Sequence, residues 1–132
     1  MIEDIYPEDW QQTRGFYSSA KKIDMGSFYM IYVSGQQVGK NEYNVAITDD
    51  TEEQTELVFQ SIEKILKAAG ASMNDVVKAQ IFLTNIDDFQ KVSAIRDKWF
   101  AKSKPVSTLV EVNAMTRKGA NVEIEVTAVI KK

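Results

Sequence analysis

Residues 49–83 read DDTEEQTELVFQSIEKILKAAGASMNDVVKAQIFL, and this stretch decides the fold class. Val58, Ile62, Ile65, Leu66 and Ala69 recur at i, i+4, i+7, i+8 and i+11, which places them in one stripe along an α-helix. Asp49, Asp50 and Thr51 offer N-cap oxygens, and Glu52 and Glu53 stand where the helix dipole favours negative charge. Gly70 is a natural residue just past the C-terminus. The pattern predicts a helix over Thr51–Ala69 with one face to bury. Immediately afterwards Val77, Ala79, Ile81 and Leu83 alternate against Val76, Lys78, Gln80 and Phe82, which predicts a strand. A one-faced helix followed by a strand calls for a helix layer on a sheet.

Outward from this unit the same reading extends to both ends. Phe89, Val92, Ile95, Trp99 and Phe100 form a second apolar stripe, so Asp88–Ala101 is expected to be helical, and Pro105 stops it. Val106–Val112 reads as a strand, Thr116–Ala120 as a turn carrying Gly119, and Val122–Ile130 as a final strand. Upstream, Phe16–Ala20 reads as a strand and Met25-Gly26-Ser27 as a turn. Phe28–Val33 reads as a strand ending at Ser34-Gly35, and Tyr43–Ile47 as a short edge strand. The expectation is one α+β domain over residues 1–132, with about six strands and both helices on one sheet face. The other face carries Glu123 and Glu125 but also Val129, and a half-apolar open face points to self-association.

Composition limits the chemistry. The chain has 132 residues, 44% of them hydrophobic, with two prolines, no cysteine and no histidine. That length suits a single domain with a real core. The missing residues exclude disulfides, thiolate nucleophiles, Ser-His-Asp triads and ordinary zinc sites within one chain. No metal ligand set and no cofactor is expected. Residues 1–66 hold 5 basic and 12 acidic groups, and residues 67–132 hold 11 and 7, giving −7 and +4 for the formal total of −3. No basic run interleaved with aromatics marks a nucleic-acid site. Met1-Ile2-Glu3-Asp4 has no basic or apolar leader pattern, and no apolar run is long enough to span a bilayer. A cytoplasmic location is expected.

Four places can carry chemistry, each with a plainer reading beside it. Tyr17, in Arg14-Gly15-Phe16-Tyr17, offers a phenol or is a half-buried strand aromatic. Ser34-Gly35, in Val33-Ser34-Gly35-Gln36, presents a hydroxyl and backbone N–H groups or is a simple turn. Glu123 and Glu125 lie on one strand face, roughly 6–7 Å apart, where they orient a water and raise each other's pKa or are solvated. Glu111, among apolar neighbours, is expected to hydrogen-bond a neighbouring backbone.

In order and spacing the chain resembles the YjgF/RidA family of reactive-intermediate deaminases, which includes the liver perchloric-acid-soluble proteins. The resemblance runs from about Gly15 to Val129. It is carried by Gly15-Phe16-Tyr17, Val33-Ser34-Gly35-Gln36, Ala68-Ala69-Gly70, Asp75-Val76-Val77-Lys78, Asp88-Phe89, Trp99-Phe100, Pro105, Val110-Glu111-Val112, and Val122-Glu123-Ile124-Glu125 with Ala128. It implies a chorismate-mutase-like fold and a homotrimer with a central barrel and ligand clefts between subunits. It also implies hydrolysis of enamines and imines such as 2-aminoacrylate, without metal or cofactor. The implied catalytic residues are Glu123, which holds or activates water, and Tyr17. The implied substrate-binding positions are Ser34, Gly35, Ser93, Ser107 and Leu109.

Three of these depart from the family pattern. The family arginine that forks onto the substrate carboxylate falls on Ser107, a common cysteine on Leu109, and an asparagine on Ser93. Replacing a buried guanidinium–carboxylate pair by one neutral hydrogen bond costs on the order of 2–4 kcal/mol. Efficient 2-aminoacrylate hydrolysis is therefore not expected, and a less anionic ligand is. Arg96 and Arg14 are the cations available to substitute, with surface placement the plainer reading of each. The leading expectation is a trimer that binds an imine, enamine or carbonyl metabolite, with weak or altered hydrolase activity. The alternative is a non-catalytic binding or chaperone-like module. Endoribonuclease activity ranks last, because the chain lacks histidine and is net negative.

Overall fold

A computed structural model describes residues 1–8, 16–39 and 47–132. Six strands form one sheet in the order β1-β2-β3-β6-β4-β5. They are β1 (Ile2–Ile5), β2 (Ala20–Asp24), β3 (Phe28–Gln37), β4 (Val76–Leu83), β5 (Val106–Glu111) and β6 (Val122–Lys131). Helices α1 (Thr51–Ala68) and α2 (Phe89–Trp99) complete the α+β domain. All pairings are antiparallel except β4–β5, which is parallel and spans α2.

The α1 stripe packs as its periodicity requires. Val58, Ile62, Ile65 and Leu66 are fully buried, and they meet Ile31, Ile81, Ile124 and Ala128 of the sheet in one core. Phe59 stacks on Trp99 at 5.6 Å and meets the edge of Phe100 at 5.3 Å, which ties α1 to α2. Gly70 takes φ +83°. Its N–H donates to Lys67 O, and the Ala71 N–H donates to Leu66 O at 2.8 Å, closing the helix in a Schellman turn. The N-terminal cap differs from expectation. Asp50 makes no side-chain cap bond. Thr48 ties the incoming chain to the first turn instead, its hydroxyl accepting the Asp50 N–H at 3.1 Å and donating to Glu53 Oε2 at 2.6 Å.

The expected strands of the second half fall where the sequence puts them. Phe89 departs from its stripe: it opens α2 and is 44% exposed, and the inward face begins at Val92. The first half is corrected more heavily. Phe16–Ser19 is not a strand; the strand is Ala20–Asp24, and Phe16 is fully exposed. Adjacent Lys21 and Lys22 hide this strand from an apolar-alternation reading, although its backbone pairs with β1 on one side and β3 on the other. Lys21 pairs with Asp4 on β1, and Lys22 sits 4.4 Å over the Tyr29 ring. The edge strand expected at Tyr43–Ile47 lies almost wholly outside the described residues, and so do Arg14 and Gly15. Among the described residues the third N-terminal strand is β1 (Ile2–Ile5), which no pattern announced.

The turn at Met25-Gly26-Ser27 is present, with Gly26 at φ +98° and its N–H on Asp24 Oδ1 at 2.9 Å. Ser34-Gly35 is not a turn. β3 continues to Gln37 through a bulge: Val33 faces Val126 and Gln36 faces Ile124, so Ser34 and Gly35 together oppose Glu125. No helix among the described residues is long and apolar enough to cross a membrane.

Candidate functional site

The bulge builds the first half of the site. Ile124 and Val126 point into the core, so Glu123 and Glu125 project from the sheet face that the helices leave open. The Glu123 carboxylate lies against Gly35. A Cβ at Gly35 would stand 2.8 Å from Glu123 Oε2, so the missing side chain at this position is what lets the carboxylate lie where it does. Gln37 Nε2 donates to Glu123 Oε1 at 2.9 Å and to Thr116 Oγ1 at 3.0 Å, while Gln37 Oε1 accepts the Arg117 N–H at 3.1 Å. One amide thus aims the carboxylate and pins the 116–121 loop. Burial pushes the Glu123 carboxyl above its ordinary range, and the neighbouring Glu125 charge pushes it further the same way.

The loop itself is anchored from below. Gln54 of α1 is fully buried and satisfied. Its Nε2 donates to Thr48 O and Gly119 O, each at 2.9 Å, and its Oε1 accepts the Asn121 N–H at 2.8 Å. A buried, fully paired amide holds one geometry. Neither Gln54 nor Gln37 gave any pattern in the sequence, since their roles rest on partners distant in the chain.

Tyr17 and Ser34 line an open groove of about 760 Å³ with Tyr32, Glu125, Lys21 and Asp4. Tyr17 is 54% exposed. The β6 carboxylate in this groove is Glu125, beside Asp4 of β1; Glu123 sits on the other side of the bulge, toward Gln37. The Ser34 N–H is spent on Ser19 O at 2.9 Å, and Ser34 O accepts from the Gln36 side chain at 3.0 Å. Glu111 has the structural role expected of it, with Oε1 accepting the Ile86 N–H at 2.9 Å.

The second half of the site lies elsewhere. Ser107 lines a groove of about 510 Å³ between α2 and the start of β5, with Arg96, Asp97, Phe100, Lys104 and Pro105. Leu109 is partly buried and packs against the core. Ser93, one turn before Arg96, has a buried Oγ with no hydrogen-bond partner among the described residues. Lys104 takes φ +46°, a left-handed conformation that costs an L-residue about 1–2 kcal/mol. Its N–H caps Phe100 O at 2.9 Å.

One chain does not unite the two halves. Ser107 pairs with Ala79, which faces the helices, whereas Glu123 pairs with Phe82 on the open side. The two positions are roughly 14 Å apart in the sheet, two strand spacings of about 4.8 Å across and three residues of about 3.3 Å along. No group of three or more carboxylates among the described residues is placed to hold a metal ion.

The profile of the Endoribonuclease L-PSP family matches residues 10–130. A RutC family protein of Pyrococcus abyssi is 37% identical over 130 residues, covering 98% of this chain and 97% of its own. A 2-iminobutanoate/2-iminopropanoate deaminase of Dermatophagoides farinae is 34% identical over 121 residues, covering 91% and 90%. Among solved structures, E. coli TdcF with bound serine superposes with a TM-score of 0.79 at 25% identity, covering 98% and 99%.

Proposed function

This chain belongs to the Endoribonuclease L-PSP family, the YjgF/RidA group, and on that footing we propose that it hydrolyses imines or enamines in clefts shared between the protomers of a homotrimer. The split of the site carries this reading. Glu123 and the α2–β5 groove lie on opposite faces of one sheet, so a single cleft containing both needs a second copy of the chain. The open sheet face bears Tyr32, Val106 and Val110, all more than 40% exposed, which fits a surface that a partner covers. A deaminase among the relatives and serine bound to TdcF support a small amino-acid-derived ligand.

The chemistry needs one proton carrier and one water. Glu123 takes a proton from water as the oxygen attacks the imine carbon and passes it to the imine nitrogen, giving a neutral carbinolamine. It then takes the hydroxyl proton and delivers it to the nitrogen as the C–N bond breaks, so the carbonyl forms and ammonia leaves. An enamine substrate first takes a proton at carbon to become the imine. A carboxyl raised by burial, with one oxygen fixed by Gln37, is suited to this exchange. Tyr17 and the Ser34-Gly35 bulge position the ligand.

The test is an assay with imines generated in situ from a panel of amino acids, following 2-oxo acid formation. Glu123→Ala is expected to lower the rate by about 10²- to 10⁴-fold, and Tyr17→Phe by less. If no imine in the panel is hydrolysed faster than in buffer, the hydrolase reading falls and a binding module remains.

A further inference from the structure

We propose that the groove beside Tyr17 binds an organic ammonium group, with Glu125 as its counter-ion and the rings of Tyr6, Phe16 and Tyr17 as its walls. In the proposed cleft this group is a cationic substituent of the ligand, and that part rests on the hydrolase reading. The binding itself rests on the groove alone.

Glu125 is a carboxylate without a counter-charge. It projects half-buried from β6 into the groove, and among the described residues it has no hydrogen bond and no ion pair. The groove's own cation is spent elsewhere, because Lys21 pairs with Asp4. One positive charge, Lys21, thus stands against two negative ones, Asp4 and Glu125. Glu123, across the bulge, adds a further carboxylate whose titration feels the Glu125 charge. A partly desolvated carboxylate in such a field draws a cation.

The walls decide what kind of cation. Phe16 is fully exposed, Tyr17 is 54% exposed and Tyr6 42%, and all three line the groove. The Tyr6 hydroxyl donates to Ser18 Oγ at 3.3 Å, which ties its ring to the segment that carries Phe16 and Tyr17. Ring faces attract cations and also cover methylene groups. A hydrated inorganic ion gains little from the rings. A neutral molecule leaves Glu125 unpaired, and an anion is repelled. An alkylammonium uses both features, with its charge on Glu125 and its carbon chain on the rings. The α2–β5 groove has the opposite balance, with Arg96 and Lys104 against Asp97. In the groove beside Trp99, Lys98 accompanies Glu63, and Glu56 already accepts the indole N–H at 3.1 Å.

Occupancy reaches the proposed proton carrier. Glu123 is held above its ordinary range by burial first and by the Glu125 charge second. An ammonium beside Glu125 offsets that charge, so Glu123 titrates lower in the bound state.

The decisive measurement is calorimetric titration of the whole protein with butylammonium, and with butanol and butyrate as its neutral and anionic counterparts. It is made on the parent, Glu125→Gln, Phe16→Ala and Glu63→Gln. Phe16 is fully exposed, so its truncation spares the core, and Glu63 carries a charge in a different groove. The parent should bind butylammonium and neither counterpart. Glu125→Gln should weaken that binding by roughly 10-fold or more and Phe16→Ala by roughly 3- to 10-fold, with Glu63→Gln unchanged. In carbon-13 NMR the Glu123 carboxyl should titrate lower with butylammonium than without it, and Glu125→Gln should abolish that difference. No binding of butylammonium, equal binding of butanol, an affinity unchanged in Glu125→Gln or in Phe16→Ala, or a Glu123 titration that butylammonium does not move overturns the proposal. So does a loss in Glu63→Gln equal to that in Glu125→Gln. Should imines be hydrolysed while butylammonium does not bind, the hydrolase stands and the cation site falls. Should butylammonium bind through Glu125 while no imine in the panel is hydrolysed, the cation site stands and the hydrolase falls.

Discussion

Glu123 stands on β6, between β3 and β4 near the middle of the sheet, and a chain of amides runs from it through Gln37 to the 116–121 loop and down to buried Gln54. Ser107 stands on β5, an exposed edge strand, in a groove whose charged groups come from a helix face and a turn. The first region is held by paired hydrogen bonds and close packing, so a change at one member disturbs the rest. The second is held by few bonds, so its side chains can be exchanged with little cost to folding. The contrast separates two duties. On the proposed function, the chemistry belongs to the rigid half and ligand choice to the half where substitution is cheap. The residues that depart from the family pattern, Ser93, Ser107 and Leu109, all belong to the second.

Of the changes that test this contrast, exchange within the edge groove should give the largest effect. Ser107→Arg puts a guanidinium into the groove that Ser107 lines. It is expected to raise the hydrolysis of amino-acid imines roughly 10- to 100-fold, read as kcat/KM. No gain would mean that this groove does not serve the ligand, and the division of duties would lose its second half.

The rigid half should answer differently. Gly35→Ala puts a Cβ 2.8 Å from the Glu123 carboxylate, which has to move off its Gln37 bond. A loss of about 1–3 kcal/mol in stability is expected, together with a fall in activity. Thermal unfolding and the imine assay on the same sample check it. A variant with unchanged unfolding and activity would show that this half is as tolerant as the groove.

The smallest effect concerns pH. Burial, with Glu125 adding to it, raises the Glu123 carboxyl in the folded protein, so the folded state holds that proton to higher pH than the unfolded chain does. Its contribution to stability is present below the unfolded pKa and is lost as pH rises through the folded value. Glu123→Gln keeps the shape and removes the titration. It should flatten that part of the stability–pH profile and leave the variant slightly more stable than the parent at neutral pH. An identical profile in both proteins would show that this carboxyl is not perturbed, and the proton-carrier role would lose its physical basis.

Much of the fold was legible because it rests on local repetition. The α1 stripe, the Gly70 stop, and the alternation in β4 and β6 follow from side-chain geometry within one element. β2 was not legible, because Lys21 and Lys22 are held by Asp4 and the Tyr29 ring, partners on other strands. The Ser34-Gly35 bulge was misread as a turn for a related reason. Ser-Gly is turn chemistry taken alone, and only pairing with β6 keeps the strand going.

The site divides along the same line. The sequence by itself determined the inventory: a chain without histidine or cysteine, and a carboxylate pair at Glu123 and Glu125. Those are facts of composition and order, and they need no coordinates. Tertiary structure alone decided that Gln37 aims Glu123, that Arg96 shares a groove with Ser107, and that the two halves face opposite sides of one sheet. Each of these depends on strand register and on which helix face meets the sheet, and both are set by burial of the whole core rather than by any local pattern.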